Sequence, residues 1–186
     1  MTQIKKYPAL IIAAVVLILD QLTKILVRRL IVPYHSIPIL DNLFGETFMF
    51  THVTNTGAAF SIGFPNPAVN RVFFIITTLI ALGFIIYLLM ESTHRIQIVA
   101  FGLVMGGAIG NLADRVIFGG VTDFIDVDFP DFIMERFPVF NIADSAIFIS
   151  VCLLIIAMFI VKEHTPPKDE ESPTQHTDSN LHIEEI

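Results

Sequence analysis

Residues 142–161 read IADSAIFISVCLLIIAMFIV. Twenty residues with one charged side chain, Asp144, span about 30 Å as a helix, the thickness of a bilayer's hydrocarbon core. Three more windows have this character: 7–27, 68–90 and 96–118. The first is interrupted, because its uninterrupted apolar run, Tyr7–Leu19, stops at Asp20. A basic start and a short apolar core also suit a cleaved signal peptide, but no small-x-small cleavage site follows Leu19, so the segment reads as a retained helix. Composition agrees with a membrane chain. Apolar residues make up 54% and charged residues 16%, against roughly 45–50% and 25% in soluble domains.

Four spans place the ends of the chain on one side of the membrane and the two long connections, 28–67 and 119–141, on the other. Helices two and three are joined by the short turn Glu91–Arg95. Residues 1–162 therefore read as one membrane domain. Residues 163–186 hold seven acids against Lys168, or −6, leaving 11 acids and 10 bases, or −1, for the rest. With its prolines and its Thr, Ser, Asn and Gln, the acidic tail reads as disordered and cytoplasmic. The 11 lysines and arginines supply no basic face for nucleic acid, and the single cysteine, Cys152, excludes an internal disulfide.

Positive charge orients the chain weakly. Lys5, Lys6, Arg95, Lys162 and Lys168 lie on the terminal side. Lys24, Arg28, Arg29, Arg71, Arg115 and Arg136 lie on the long-loop side. With Lys24 and Arg115 assigned to polar clusters inside the membrane boundary, five face four, and the termini are expected in the cytoplasm. The long loops have texture of their own. Thr47–Thr54 and Val121–Val127 mix β-branched and aromatic residues in rough alternation, which predicts a small extramembrane β element.

Ionisable groups in membrane segments are costly and are functional candidates by default. Here they gather at the long-loop ends of the helices: Asp20 and Lys24 on the first, Asn111, Asp114 and Arg115 on the third, Asn141, Asp144 and Ser145 on the fourth. The opposite ends are nearly bare, which disfavours a proton-coupled transporter with polar groups across the bilayer. Asp20 and Lys24 form an i,i+4 pair in the favourable order. Arg115 beside Asp114 is expected to form an orienting ion pair. Gly102, Gly106 and Gly110 recur every four residues and read as a close helix-packing surface. Asn141 and Asp144 fit a helix cap and catalytic chemistry equally well, and the two roles are compatible. Asn55–Phe60 reads as a glycine-containing turn. Asp126, Asp128 and Asp131 read as solvated loop acids.

Among nucleophiles, Cys152 lies mid-helix, far from the polar face. A serine–lysine pair of Lys24 with Ser145, Ser61 or Ser36 is not singled out by spacing. The six histidines form no HExxH. Two carboxylates sharing one proton remain as the chemistry that could activate water and protonate a leaving amide.

Five segments together carry a resemblance: Asp20–Lys24, Asn55–Phe60, Gly106–Arg115, Gly120–Ile125 and Phe140–Ser145. In that order and spacing, over about residues 5–162, they resemble bacterial lipoprotein signal peptidase, or signal peptidase II. The resemblance implies a four-helix membrane bundle with an extracytoplasmic β-cradle in the cytoplasmic (inner) membrane. It implies an aspartic endopeptidase that removes signal peptides from diacylglyceryl-modified prolipoproteins immediately before the lipidated cysteine. Asp123 and Asp144 match the catalytic pair. Asn55, Gly57, Asn111, Arg115 and Asn141 match positions that bind or orient, and Asp20, Lys24 and Asp114 match positions that shape the site. The family uses no metal or other cofactor and is inhibited by globomycin. The expected partners are lipidated substrates and membrane lipids, with the chain acting as a monomer. Asp144 falls in a helix's first turn, where the dipole favours negative charge. Asp123 lies between Thr122 and Phe124. The shared proton is therefore expected mainly on Asp123, although titration belongs to the pair.

Overall fold

The computed structural model describes residues 5–39, 47–57, 64–128 and 137–160. Four long helices run α1 (Tyr7–Leu30), α2 (Pro67–Glu91), α3 (Arg95–Phe118) and α4 (Ile142–Ile160). All four are long and apolar enough to cross a membrane. Three strands, β1 (Ser36–Pro38), β2 (Phe48–Asn55) and β3 (Val121–Val127), form an antiparallel sheet in the order β1-β2-β3. The expected acidic tail and Asp131 lie outside the described residues.

Local chemistry sets the helix ends. Asn66 caps α2, its Oδ1 accepting the Ala68 N–H at 2.9 Å, with Pro67 following, where a missing N–H costs nothing. His94 and Gln97 form a reciprocal capping box at the start of α3. Gly119 ends α3 at φ 84°, a left-handed position that glycine adopts without a Cβ clash. At the other end of the bundle the Lys6 ammonium donates to Ser92 Oγ at 3.1 Å and to the Ser92 carbonyl, tying α1 to the end of α2.

α3 is the hub. It packs against α1, α4 and, less extensively, α2. The glycine stripe serves two neighbours. A Cβ on Gly106 would fall 2.7 Å from the Ala13 carbonyl oxygen of α1, and one on Gly107 would fall 2.5 Å from that of Ala143 on α4. Small residues let backbones approach this closely in lipid, where association rests on packing contacts. The outward faces carry Leu10, Ile18, Ile80, Phe84, Phe148 and Phe159, all exposed and all apolar, as a lipid-facing surface requires.

The sheet folds back over the long-loop end of the bundle. β2 carries one extra residue between its pairings Phe50↔Ile125 and Val53↔Asp123, a bulge that leaves Thr51 and His52 both buried. His52 Nδ1 lies 2.8 Å from the Ile31 carbonyl oxygen just past α1. Val27, Ile31 and Phe124 form a small core beneath the sheet. On the free edge of β3, Phe124 and Ile125 donate their N–H groups to the Phe140 carbonyl at 3.0 and 2.7 Å. That pairing delivers the next residue, Asn141, to the side of Asp123.

Candidate active site

The base of the site is a buried charge cluster. Asp20, Lys24 and Asp114 are fully buried. The Lys24 ammonium lies 2.9 Å from Asp20 Oδ2 and 3.4 Å from Asp114 Oδ2, and it donates to Asn111 Oδ1 at 2.8 Å. The i,i+4 pair is therefore present, and it is one part of a larger network. Arg28 Nη1 reaches Asp114 Oδ1 at 3.3 Å. Two acids thus face two bases, the balance a low-dielectric interior demands. Gln21 Nε2 links Asp20, Asp114 and the Gly110 carbonyl at 3.1–3.3 Å.

Two sequence expectations need correction here. Asp114 pairs with Lys24 and Arg28, not with Arg115, because adjacent residues on a helix point in different directions. Arg115 instead donates to the Gly57 carbonyl at 3.2 Å and lies 5.0 Å over the Phe74 ring. Asp126 is buried rather than solvated: it accepts the Thr51 hydroxyl at 2.6 Å across the sheet. Asp128 is exposed as expected.

On this base stand two carboxylates and three asparagines. Lys24 occupies Asn111 Oδ1, so the Asn111 amide must turn its Nδ2 outward, where it donates to Asp144 Oδ1 at 2.8 Å. Asn141 and Asp144 form a reciprocal cap. The Asp144 N–H donates to Asn141 Oδ1 at 2.9 Å, and the Asn141 N–H donates to Asp144 Oδ2 at 3.2 Å. The next orphan donor of α4, the Ala143 N–H, is met by Asp20 Oδ1 at 3.0 Å. Asn141 Nδ2 then reaches Asp123 Oδ1 at 2.6 Å. Asn55 Nδ2 donates to the other oxygen, Oδ2, at 3.2 Å, while Asn55 Oδ1 accepts the Gly57 N–H at 3.0 Å. Cap geometry and carboxylate chemistry are thus built from the same two residues of α4's start.

Among the described residues no lysine or arginine lies within ion-pair distance of Asp123 or Asp144. Amides hold both carboxylates without neutralising them. Asp123 is 3% exposed, and its pKa is raised from 3.8 to about 7. Burial is the main cause and the Asp144 charge the second, against hydrogen bonds from Asn55 and Asn141 and the more distant Lys24 charge. Two neighbouring carboxyls in this setting favour a state with one proton between them.

Two spaces flank the site. A cavity of about 560 Å³ is lined by Asp123, Asn55, Gly57, Thr54, Asn70 and Pro138. A second groove, about 370 Å³, runs between α2 and α3 along Thr78, Ala81, Ile85 and Ala108 and ends at Asn111 and Arg115. The serine–lysine arrangement does not form among the described residues. Lys24 is committed to Asp20, Asp114 and Asn111, and Ser145 donates to the Asn141 carbonyl at 2.9 Å. Sequence reasoning passed over Arg28, Gln21 and Thr122. Asp20, Lys24 and Arg28 recur at four-residue steps, a helical stripe that would have shown Arg28 to belong to the cluster.

The family model described as signal peptidase (SPase) II matches residues 12–160. A lipoprotein signal peptidase of Maridesulfovibrio salexigens is 41% identical over 160 residues, covering 83% of this chain and 97% of that protein. One from Geobacter metallireducens is 42% identical over 161 residues, covering 86% and 94%. A solved structure titled as a bacterial membrane enzyme at 2.3 Å resolution superposes with a TM-score of 0.70 at 32% identity, covering 89% of this chain and 94% of its own. The four spanning helices, the small sheet and these likenesses lead to one assignment: the chain belongs to the signal peptidase II family and is a multi-pass membrane peptidase.

Proposed function

We propose that this peptidase cuts the signal peptide from diacylglyceryl-modified prolipoproteins immediately before the lipidated cysteine, with Asp123 and Asp144 as its catalytic pair. One observation carries the reading: among the described residues the two carboxylates are held by Asn55, Asn111 and Asn141, with Asp123 lining a polar cavity and Asn111, bonded to Asp144, lining a largely apolar groove. A substrate with an apolar signal segment and a polar mature segment has one half for each space.

The chemistry follows from one shared proton. Asp144, at the N-terminus of α4, is the readier base. It takes a proton from water as the water oxygen bonds to the scissile carbonyl carbon. Asp123, carrying the shared proton at neutral pH, gives it to the carbonyl oxygen, which becomes a neutral tetrahedral adduct. Collapse of the adduct breaks the C–N bond. The leaving nitrogen receives a proton from Asp144, Asp123 regains one from the adduct's hydroxyl, and the pair again holds a single proton. No metal or cofactor takes part. Arg115, which lines the groove and is bonded to Gly57 of the cavity wall, orients the substrate's backbone or ester groups.

The termini face the cytoplasm and the pair faces outward. Because Arg28 is engaged in the buried cluster, it leaves the loop count. Lys5, Lys6, Arg95, Lys162 and Lys168 then face only Arg29, Arg71 and Arg136. Membrane lipids and globomycin-type inhibitors are its other partners, and the chain acts as a monomer without nucleic acid. Incubating the purified chain with a diacylglyceryl-modified prolipoprotein tests the activity: mass spectrometry should find a product that begins at the lipidated cysteine. Cleavage elsewhere, or equal cleavage of the unlipidated precursor, contradicts the reading. Reporters fused at Ser92 and after Asp128 should be active only at the latter if they function outside the cytoplasm.

A further inference from the structure

Each polar group of Thr122 is held by a different helix. Its N–H donates to Asp114 Oδ2 of α3 at 2.9 Å. Its hydroxyl oxygen accepts from Arg28 Nη1 of α1 at 2.8 Å. Its carbonyl accepts from Nδ2 of Asn141, the cap of α4, at 3.4 Å. Thr122 is 3% exposed, and the next residue is Asp123.

The sheet alone does not provide this placement. The β2–β3 ladder breaks between the pairings Phe50↔Ile125 and Val53↔Asp123, immediately beside Asp123. A bulge at that point weakens the ladder's hold on the strand. Arg28, in contrast, is fixed on three sides. Nη1 meets both Asp114 and Thr122, and the guanidinium lies 4.4 Å over the Phe118 ring. Its charge is only part of its role, because the same nitrogen bridges an acid of α3 and a hydroxyl of β3.

We infer that Thr122 and Arg28 are positioning residues: the contact between them holds β3 so that the Asp123 carboxylate meets Asn141 and, through that residue, the Asp144 side. The inference rests on the reading of Asp123 and Asp144 as the catalytic pair. A hydroxyl that merely satisfies a half-buried guanidinium would affect folding and leave the turnover of folded enzyme alone.

The test measures kcat and KM for cleavage of a diacylglyceryl-modified prolipoprotein by the monodisperse fraction of each full-length variant. Thr122→Val keeps the β-branched shape and removes the hydroxyl. Thr122→Ser keeps the hydroxyl. Arg28→Met removes the donor without altering the strand, and carries the same comparison should Thr122→Val yield no monodisperse protein. Thr122→Val and Arg28→Met should each lower kcat about tenfold or more at unchanged KM, the scale on which small misplacements of reacting groups act. Thr122→Ser should stay close to the unmodified enzyme. The double variant Arg28→Met/Thr122→Val should be no slower than the slower single, because Arg28→Met already removes the contact that Thr122→Val removes. Unchanged kcat in Thr122→Val or Arg28→Met, equal losses in the Val and Ser variants, or additive losses in the double would each overturn the inference. Asp123→Asn is assayed alongside. Cleavage surviving in that variant would instead overturn the catalytic pair on which the inference rests.

Discussion

Asn141 donates from Nδ2 to Asp123 Oδ1 at 2.6 Å, while its own backbone N–H and Oδ1 are engaged by Asp144. One residue is therefore both the cap of α4 and the link between the carboxylates, and substitution can separate the roles. Asn141→Ser retains a good N-cap, so stability should change by no more than about 1 kcal/mol. The shorter side chain cannot reach Asp123, so cleavage should fall by about tenfold or more. Thermal melting in detergent and the cleavage rate of the same preparation check both halves. Wild-type cleavage in a well-folded Ser variant would remove Asn141 from the chemistry.

The raised pKa of Asp123 gives stability a pH dependence of definite sign. Below its ordinary value of 3.8 the carboxyl is protonated in both folded and unfolded chains. Between there and about 7 only the folded chain keeps the proton, so the unfolded state binds fewer protons and stability falls as pH rises. Above that range both states have lost it and this contribution is gone. Asp123→Asn cannot ionise. Its melting temperature relative to the unmodified protein should therefore rise from pH 5 to about pH 7 and then level off. A constant or narrowing difference below about pH 7 would contradict a buried, proton-retaining Asp123.

Lys24 pairs with two fully buried acids, Asp20 and Asp114, the second shared with Arg28. Lys24→Met should cost about 3–5 kcal/mol, the usual penalty for leaving a buried charge unpaired, and should be seen as low monodisperse yield. Adding Asp20→Asn should recover part of that yield. Equal yields with and without Lys24 would mean that the cluster is more hydrated than its burial indicates.

Helix approach gives a matched pair. A Cβ on Gly107 would lie 2.5 Å from the Ala143 carbonyl oxygen, whereas one on Gly83 would meet nothing within 4 Å. Gly107→Ala should lower stability by about 1–3 kcal/mol through overpacking, and Gly83→Ala should be tolerated. Melting of the two variants side by side decides it.

The long elements were legible because single-segment physics makes them. Twenty apolar residues with few charges specify a span without help from tertiary structure, and the β-branched alternation of Thr47–Thr54 and Val121–Val127 announced β2 and β3. β1, three residues including Pro38, carries no such signal and exists because β2 pairs with it. The polar convergence at one end of the bundle followed from helix direction alone. Which partners meet did not. Asp126 resembles its exposed neighbour Asp128 in sequence, and its burial depends on Thr51 across the sheet. Asp114 was paired with its chain neighbour Arg115, although helical geometry separates the two and brings Lys24 and Arg28 from α1 instead.

The central claim is that Asp123 and Asp144 act as one catalytic pair, and cleavage of a diacylglyceryl-modified prolipoprotein by Asp123→Asn and Asp144→Asn tests it most directly. Each variant must first be shown to be monodisperse and to melt cooperatively. An asparagine keeps the shape but can neither hold nor pass the proton, so each should lose at least about 10²–10⁴ in rate, the worth of a positioned acid or base. The double variant should be no slower than either single, as members of one catalytic unit are not additive. Substantial cleavage by either folded single variant would contradict the account.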